Sequence, residues 1–285
     1  MSKFILIGHP VAHSVSPEIH KAAYEALGVS HSYELVDCPD EASVQYQVEL
    51  IRSGELGVAN VTVPHKVLAL TLADEVHESA AGVGAANTLA CENGRVVAYN
   101  TDVLGLAYDL QLKTTKFPRY ALVLGNGGAA RAAVVACQRI GVRTVYLTAR
   151  SFIGAPKLWP KCSEFRELGA VLLPWRTVGK SIVPRMETLD IVVQATSAGM
   201  KGVGEGENVA KRVPFHELPE EALAYDLVYN PPSTPFLETA YEESVEYCNG
   251  LGMLVGLAVE TIKIWLGVEP DREVMLRAAN KAICG

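Results

Sequence analysis

Short apolar runs alternate with longer amphipathic stretches along most of the chain. This alternation is typical of βαβ units, in which helices connect the strands of a largely parallel sheet. Toward the N-terminus it predicts strands at residues 4–8, 33–36, 58–63, 87–90 and 96–98, and a helix over residues 17–27. The Asn93-Gly94 dipeptide between the last two strands predicts a tight hairpin, because both residues tolerate the positive φ that such a turn needs.

A second series of alternating elements begins at Tyr120. Its strands are predicted at residues 121–124, 144–147, 171–173, 191–194 and 224–228, and its first helix over residues 129–140. Strands and helices in this order suit a doubly wound, Rossmann-type nucleotide-binding domain. Further helices are predicted over about 236–246 and 256–266.

Together the two series predict an α/β protein of two domains, which a length of 285 residues also favours. We expect residues 1–103 and 239–285 to form one domain, with the last helices packing on the first sheet. Residues 104–238 form the expected dinucleotide-binding domain.

The composition excludes several classes of protein. A net charge of −7 and the lack of a run of Lys and Arg argue against a nucleic-acid-binding surface. The 6 cysteines are scattered and form no CxxC pair, so we expect reduced thiols, no metal site and a cytoplasmic location. Apolar runs stay shorter than the ~20 residues that a membrane helix needs.

A glycine-rich loop follows the first strand of the second series, where the chain reads Gly125-Asn126-Gly127-Gly128-Ala129-Ala130. This is a GxGxxA pattern between a strand and a helix. Gly125 allows the tight turn, and Gly127 lets the backbone approach a pyrophosphate that the start of the helix stabilises. The loop predicts dinucleotide binding; the alternative is a glycine turn that only connects strand and helix.

The end of the next strand bears on the choice between NAD and NADP. NAD-binding proteins usually carry a carboxylate there, ~20 residues beyond the loop, whereas this chain reads Ala149-Arg150-Ser151. Arg150 and Ser151 favour a 2′-phosphate, so we predict NADP, with NAD as the alternative. An exposed basic residue without such a role is the simpler explanation of Arg150.

Four polar clusters flank predicted strands of the first domain. They contain Ser14 and Ser16, Lys66, Asn87, and Asp102. Ligands of α/β proteins bind where strands end, so the clusters predict one site. The two serines precede a helix, whose free N–H groups help to bind a carboxylate, although Ser16 also suits a helix cap. A surface ion pair is the simpler explanation of Lys66 and Asp102.

The clusters HSVSP, NVTVPHK, AANT and YNTD are followed by LGNGGAARA, ATSAGM, DLVYNPPSTPFL and NGLGML. In order and spacing these motifs resemble the shikimate dehydrogenase family, from Gly8 to about Leu257. The resemblance implies an N-terminal α/β substrate domain and a Rossmann-type domain for NADP. It also implies reduction of 3-dehydroshikimate to shikimate with NADPH, in aromatic amino-acid biosynthesis.

The resemblance further implies the roles of individual residues. Lys66 and Asp102 are the implied catalytic pair, with Ser14 and Ser16 at the substrate carboxylate. The other implied substrate residues are Thr62, Asn87, Asp102, Tyr229 and the position of Leu257. The implied cofactor residues are Gly125, Asn126, Gly127, Gly128, Ala129, Arg150, Ser151, Thr196, Met200 and Gly250.

The chemistry of a ketone reduction suits this pair. Delivery of a hydride leaves negative charge on the ketone oxygen, so a cationic proton donor within reach lowers the barrier. Lys66 supplies the charge and the proton, directly or through water, and Asp102 orients the ammonium group.

Four positions depart from the family pattern. Leu257 stands where the family has a Gln that holds a ring hydroxyl, so recognition of shikimate is expected to weaken by about 1–3 kcal/mol. Ala149 replaces an Asn beside the cofactor phosphate. Gln194 and Lys21 stand where Asn is common, and the sequence offers no account of them.

These departures leave alternatives for the function. The chain resembles either a shikimate dehydrogenase or a paralogue that acts on quinate, an aminoshikimate or another carbocyclic hydroxy acid. A nucleotide-sensing module without turnover is an alternative of another class, but such a module does not need Lys66 as a proton donor. We expect a monomer or a homodimer.

Overall fold

The computed structural model describes residues 3–114, 117–175, 186–204 and 206–284. The chain divides into two compact units. Unit 1 comprises residues 1–105 and 252–285, and unit 2 comprises residues 106–251. The assignment of substrate binding to one unit and nucleotide binding to the other stays a prediction, as do the boundaries of the functional domains.

The strands of the described residues are β1 (Lys3–Gly8), β2 (Ser32–Asp37), β3 (Val58–Val61), β4 (Glu75–Val76), β5 (Thr88–Glu92), β6 (Arg95–Tyr99), β7 (Tyr120–Leu124), β8 (Thr144–Thr148), β9 (Val171–Leu172), β10 (Ile191–Gln194), β11 (Leu223–Asp226) and β12 (Glu246–Asn249). The α-helices are α1 (Ser16–Leu27), α2 (Glu41–Arg52), α3 (Lys66–Leu72), α4 (Glu78–Ala81), α5 (Asp102–Lys113), α6 (Gly128–Arg139), α7 (Cys162–Glu167), α8 (Glu207–Ala210), α9 (Pro235–Glu242), α10 (Leu251–Leu266) and α11 (Arg272–Cys284). Short 3₁₀ turns lie at Pro156–Leu158, Met186–Thr188 and Phe215–Glu217.

Unit 1 contains a mixed sheet with the strand order β2-β1-β3-β5-β6-β4. As expected, this sheet is largely parallel, and β5 runs antiparallel to both of its neighbours, β3 and β6. The predicted hairpin between β5 and β6 is confirmed: Asn93 has a φ of 53° and Gly94 a φ of 76°. The reversal of β5 brings the start of this strand to the sheet edge where β3 and β6 end.

Unit 2 contains a parallel sheet with the strand order β12-β11-β10-β7-β8-β9. The predicted strands of the second series are present, but the predicted helix over 236–246 is wrong beyond Glu242. There α9 ends, Ser244 takes a left-handed φ of 59°, and the chain enters β12. The last helix of the series also begins earlier than predicted, at Leu251, whose N–H donates to Asn249 Oδ1 over 3.1 Å.

Each unit has its own apolar core. In unit 1 the core residues come from β1, β3, β5, β6 and the helices against them, and include Ile5, Ile7, Val48, Ile51 and Leu89. In unit 2 they include Leu122, Leu124, Val192, Phe215 and Phe236. Burial of these side chains is the main source of stability in both units. No helix in the described parts of the chain is long and apolar enough to cross a membrane.

Within unit 1, the start of α5 and the middle of α10 approach backbone to backbone. A Cβ placed on Gly105 would lie 2.6 Å from the Leu257 nitrogen and 2.8 Å from the Met253 oxygen. A Cβ on Gly256 would lie 2.8 Å from the Gly105 Cα. Since the neighbouring atoms belong to backbone, the two glycines set the distance between these helices.

We expect Gly105→Ala to lower the free energy of unfolding by about 1–3 kcal/mol, the usual cost of overpacking. This cost outweighs the gain of up to ~1 kcal/mol that alanine has over glycine inside a helix. Urea denaturation followed by circular dichroism measures the change. Gly82→Ala is the matched control, because Gly82 has a φ of −63° and its Cβ would meet Glu78 O at an ordinary 3.4 Å. Equal midpoints for the two variants would contradict the close approach.

Candidate active site

The polar clusters of unit 1 meet at one edge of its sheet. In the ladder, Asn60 near the end of β3 lies beside Thr88 at the start of β5, and Thr88 lies beside Tyr99 at the end of β6. Lys66 is the first residue of α3, the helix that follows β3. Asp102 is the first residue of α5, the helix that follows β6. The sheet topology therefore brings together three segments that are distant in sequence.

Lys66 and Asp102 form a direct ion pair, with 2.5 Å between Lys66 Nζ and Asp102 Oδ2. The side chain of Asp102 is 1% exposed and that of Lys66 is 12% exposed. A surface ion pair, the simpler explanation, does not describe groups so deeply enclosed. Asp102 also lies in the first turn of α5, where the helix dipole favours a negative charge. A cation that is mostly shielded from solvent suits controlled proton transfer.

Asn87 holds the second oxygen of this carboxylate. Its Nδ2 donates to Asp102 Oδ1 and to Thr101 Oγ1, both over 2.9 Å. Its Oδ1 accepts from the Thr101 N–H over 2.7 Å. Both protons of the Asn87 amide are thus used inside the protein, and Lys66, Asp102 and Asn87 form one hydrogen-bonded group.

The two predicted carboxylate-binding serines form a separate pair. Ser14 Oγ donates to Ser16 Oγ over 3.0 Å, and the Ser16 N–H donates to Ser14 Oγ over 3.3 Å. The residue at the cap of α1 is Val15, which makes no side-chain cap, so Ser16 is the first helical residue and not the cap. Ser16 is buried, and within this pair its hydroxyl oxygen is the acceptor.

Thr62 and Leu257 complete the predicted substrate residues of unit 1. Thr62 follows β3 directly, and its carbonyl accepts from the His65 N–H over 3.0 Å in the turn that leads to Lys66. Leu257 is half-buried on α10, and its carbonyl accepts from Thr261 Oγ1 over 2.9 Å. Lys21, one of the unexplained departures, is exposed and faces Glu25 on α1 at 3.9 Å.

In unit 2 the glycine loop follows β7 and leads into α6. Gly125 has a φ of 130°, and a Cβ there would lie 2.8 Å from Ala195 O, so only glycine fits. Gly127 precedes α6 without a side-chain cap, and apart from its chain neighbours no atom of the described residues lies within 4 Å of a Cβ placed on it. Gly128 and Ala129 form the first turn. This open helix start fits the pyrophosphate of a dinucleotide.

The end of β8 lies beside this loop. Asn126 Nδ2 donates to Ser151 Oγ over 3.0 Å, which joins the loop to the segment after β8. Arg150 is exposed and Ala149 is buried. An exposed guanidinium next to a hydroxyl fits the 2′-phosphate of NADP, because Arg binds phosphate with several N–H groups at once.

Gln194 orders the loop after β10, which gives this departure a physical account. Its Oε1 accepts from Thr196 N over 2.6 Å and from Thr196 Oγ1 over 2.7 Å. Its Nε2 donates to Ala198 O over 3.0 Å. The side chain of Gln is longer than that of Asn, so its amide group spans the turn that carries Thr196 and leads to Met200.

Sequence reasoning missed Asp226, which ends β11. Its Oδ1 accepts from the Val228 N–H over 2.9 Å, and its Oδ2 accepts from Thr234 Oγ1 over 2.6 Å. The carboxyl group thus holds both ends of the loop that carries Tyr229. Burial raises the pKa of Asp226 to about 7, and the two hydrogen bonds oppose this rise. Gly250 lies against the start of the same loop, since a Cβ there would overlap the Leu227 carbonyl.

Comparison with known proteins decides the family. The family model described as the shikimate dehydrogenase substrate binding domain matches residues 6–89. A protein named shikimate dehydrogenase (NADP(+)) from Methanococcus maripaludis is 34% identical over 98% of this chain and 96% of its own. The chain belongs to the shikimate dehydrogenase family.

Solved structures agree with this family. Shikimate 5-dehydrogenase from Thermus thermophilus, crystallised with NADP(H) and shikimate, is 32% identical, with a TM-score of 0.83 over 99% of this chain and 100% of the other. A 5-ketofructose reductase of Gluconobacter is 26% identical, with a TM-score of 0.77 over 98% of each chain. The predicted family and the predicted α/β fold with a Rossmann-type unit are confirmed. The fold is also shared with a relative named for a different substrate.

The raised pKa of Asp226 makes stability depend on pH in this member of the shikimate dehydrogenase family. The folded protein binds this proton more tightly than the unfolded chain, so the free energy of unfolding falls as pH rises from about 4 to about 7. Asp226→Asn carries no such charge. We expect the wild type to lose roughly 2–4 kcal/mol more than this variant between pH 5 and pH 8.

Urea denaturation at a series of pH values measures this difference. Thr234→Val removes a donor to the Asp226 carboxylate and moves the decline in stability to higher pH. Parallel profiles for wild type and Asp226→Asn would show that the carboxyl group keeps its ordinary pKa.

Proposed function

We propose that the protein is an NADP-dependent dehydrogenase that interconverts 3-dehydroshikimate and shikimate. The observation that carries the proposal is the enclosed Lys66–Asp102–Asn87 group at the sheet edge of a shikimate dehydrogenase family member. It supplies a cationic proton donor that is held at a defined place.

Bound NADPH supplies a hydride to the ring ketone, and the protein handles the proton. Lys66 Nζ donates its proton to the ketone oxygen as negative charge develops there, and solvent later restores the proton. In the reverse direction the neutral amine accepts the proton of the ring hydroxyl. Hydride and proton together convert the ketone to an alcohol, so the reaction balances without a further reagent.

Asp102 keeps the ammonium group in place. Its Oδ2 contacts Lys66, while the amide of Asn87 holds its Oδ1, so the carboxylate cannot rotate away. We assign Asn87 first to this positioning, because both its protons are already donated. Its predicted contact with a ring hydroxyl stays a prediction.

The remaining predicted site residues keep their proposed roles. Ser14 and Ser16 receive the substrate carboxylate, and Thr62 and Asp102 contact ring hydroxyls. Tyr229 is assigned to the substrate and Met200 to the nicotinamide. The pyrophosphate is held by Gly125, Asn126, Gly127, Gly128 and Ala129, the 2′-phosphate by Arg150 and Ser151, and the rest of the cofactor by Thr196 and Gly250. A cytoplasmic location and a monomer or homodimer also stay predictions.

Removal of the proton donor tests this mechanism. For Lys66→Ala we expect kcat to fall at least ~10²-fold, with a modest change in KM, because the lost interaction acts mainly in the transition state. Steady-state kinetics with 3-dehydroshikimate and NADPH measure both constants. Lys21→Ala is the control, since Lys21 is exposed on α1. A kcat equal to that of the wild type would identify another group as the acid.

Leu257 supports a second candidate function, a dehydrogenase for a related carbocyclic acid. A leucine at this half-buried position offers no hydrogen bond to the ring hydroxyl that the family Gln holds. An apolar pocket does not strongly reject a substrate with an extra hydroxyl, so shikimate stays a possible substrate. Quinate, an aminoshikimate and other cyclic hydroxy acids are the alternatives.

A matrix of enzymes, cofactors and acids separates these functions. The wild type and Leu257→Gln are assayed with NADP and NAD against shikimate, quinate and aminoshikimate. We expect Leu257→Gln to raise kcat/KM for shikimate by about 5- to 100-fold, the value of one hydrogen bond to a buried partner. Leu266→Gln, on the same helix, is the control for a polar substitution at a half-buried leucine.

Each result of the matrix has a distinct meaning. Higher wild-type kcat/KM for another acid would favour the second candidate. No reduced cofactor with any acid would overturn both enzyme functions and favour a nucleotide-sensing module.

A further inference from the structure

A buried polar cluster lies next to the Lys66–Asp102–Asn87 group, and the mechanism described above assigns it no role. At its centre is Asn60, which lies in β3 between apolar residues and is 4% exposed. Thr88 and Thr261 are fully buried beside it. Apolar side chains fill the centre of a sheet more cheaply than an amide, which needs every hydrogen bond satisfied. The presence of an amide at this position therefore requires an explanation.

The hydrogen bonds of this cluster lead from Asn60 to two threonines, whose hydroxyl oxygens also lie 3.4 Å apart. Asn60 Oδ1 accepts from Tyr33 OH over 2.9 Å, and Asn60 Nδ2 donates to Thr88 Oγ1 over 3.0 Å and to Thr261 Oγ1 over 3.1 Å. Each threonine hydroxyl then has its own proton left to donate. Thr88 Oγ1 donates to Asn87 Oδ1 over 3.2 Å. Thr261 Oγ1 donates to Leu257 O over 2.9 Å.

The first branch ends at the catalytic carboxylate. Thr88 supports the oxygen of the Asn87 amide, whose nitrogen donates to Asp102 Oδ1. Together with the Thr101 N–H, this donor defines which end of the amide faces Asp102. A reversed amide would place its oxygen against the carboxylate, where two acceptors repel.

The second branch ends at the turn of α10 that carries Leu257. Thr261 lies one turn later and holds the Leu257 carbonyl, while Asn60 holds Thr261. Since Asn60 belongs to β3 and Thr261 to α10, the amide ties the helix to the sheet at this level. One buried amide thus contacts both the support of Asp102 and the support of Leu257.

We propose that Asn60, Thr88 and Thr261 are positioning residues: Asn60 and Thr88 orient the Asn87 amide that holds Asp102 against Lys66, and Asn60 and Thr261 set the helix turn of Leu257. The proposal rests on the proposed function, since it assigns a task to residues around that proton donor. It predicts that the two branches affect different kinetic constants. Loss of the Thr88 branch slows the proton transfer, and loss of the Thr261 branch weakens substrate binding.

The experiment compares isosteric threonine variants of the full-length protein. For Thr88→Val we expect kcat to fall about 5- to 10-fold with KM within about 2-fold, and Thr88→Ser to restore kcat. For Thr261→Val we expect KM to rise about 5- to 10-fold with kcat within about 2-fold. Thr239→Val is the control, because Thr239 Oγ1 makes the same i to i−4 bond to Pro235 O on α9. It should leave both constants unchanged.

A second readout separates positioning from loss of folded protein. With 4-deuterated NADPH, the isotope effect on kcat should increase in Thr88→Val, because a misplaced proton donor makes the chemical step more rate-limiting. A smaller amount of folded enzyme lowers kcat without changing the isotope effect. Equal falls in kcat for Thr88→Val and Thr88→Ser, with an unchanged isotope effect, would overturn the proposal.

Nuclear magnetic resonance tests the cluster independently of turnover. The side-chain amide resonances of Asn87, assigned through Asn87→Asp, should move in Thr88→Val and return in Thr88→Ser. Unmoved resonances would overturn the proposal even in an enzyme without activity on these acids. A wild type without turnover but with moved resonances would refute the proposed reaction and support the positioning of Asn87.

Discussion

The carboxylate of Asp102 is buried, and a buried charge without partners costs several kcal/mol. In unit 1 a cation, an amide and the start of a helix stabilise this carboxylate. Lys66 neutralises one oxygen, Asn87 donates to the other, and the first turn of α5 adds a favourable dipole. The partners come from three segments, so the site exists only when the sheet is assembled. The constraint therefore couples folding to the placement of the proton donor.

Sheet topology decides whether these segments can meet. In a wholly parallel sheet, the start of β5 would lie at the edge opposite to the end of β3. Because β5 is antiparallel to both neighbours, Asn87 lies at the edge where Lys66 and Asp102 follow their strands. In unit 2 the sheet is parallel, and its edge collects the glycine loop, Arg150 and the loop of Tyr229 by the ordinary rule for α/β proteins. In unit 1 the site residues meet because one strand is antiparallel, whereas in unit 2 the candidate cofactor residues follow the ends of parallel strands.

Local signals in the sequence predicted the hairpin at Asn93, the glycine loop and the polar clusters, because each depends on a few neighbouring residues. The motifs also predicted the family. They did not predict β12, since Glu246–Asn249 is too short for a periodic pattern and follows a turn at Ser244. Nor did they reveal the task of Asp226, which depends on burial. The polar residue in the apolar run around Asn60 was a visible signal, but its partner Thr261 lies 201 residues away.

The link from Asn60 to both branches bears on how such a site can change its substrate. Leu257 is held through its backbone carbonyl, and this hydrogen bond does not depend on the side chain at that position. A substitution at residue 257 therefore alters the groups offered to the ring while the helix turn stays in place. The Asn87–Asp102–Lys66 group is likewise supported from the sheet and not from Leu257. A change of the side chain at residue 257 can therefore alter ring recognition while the hydrogen bonds that hold the proton donor stay in place.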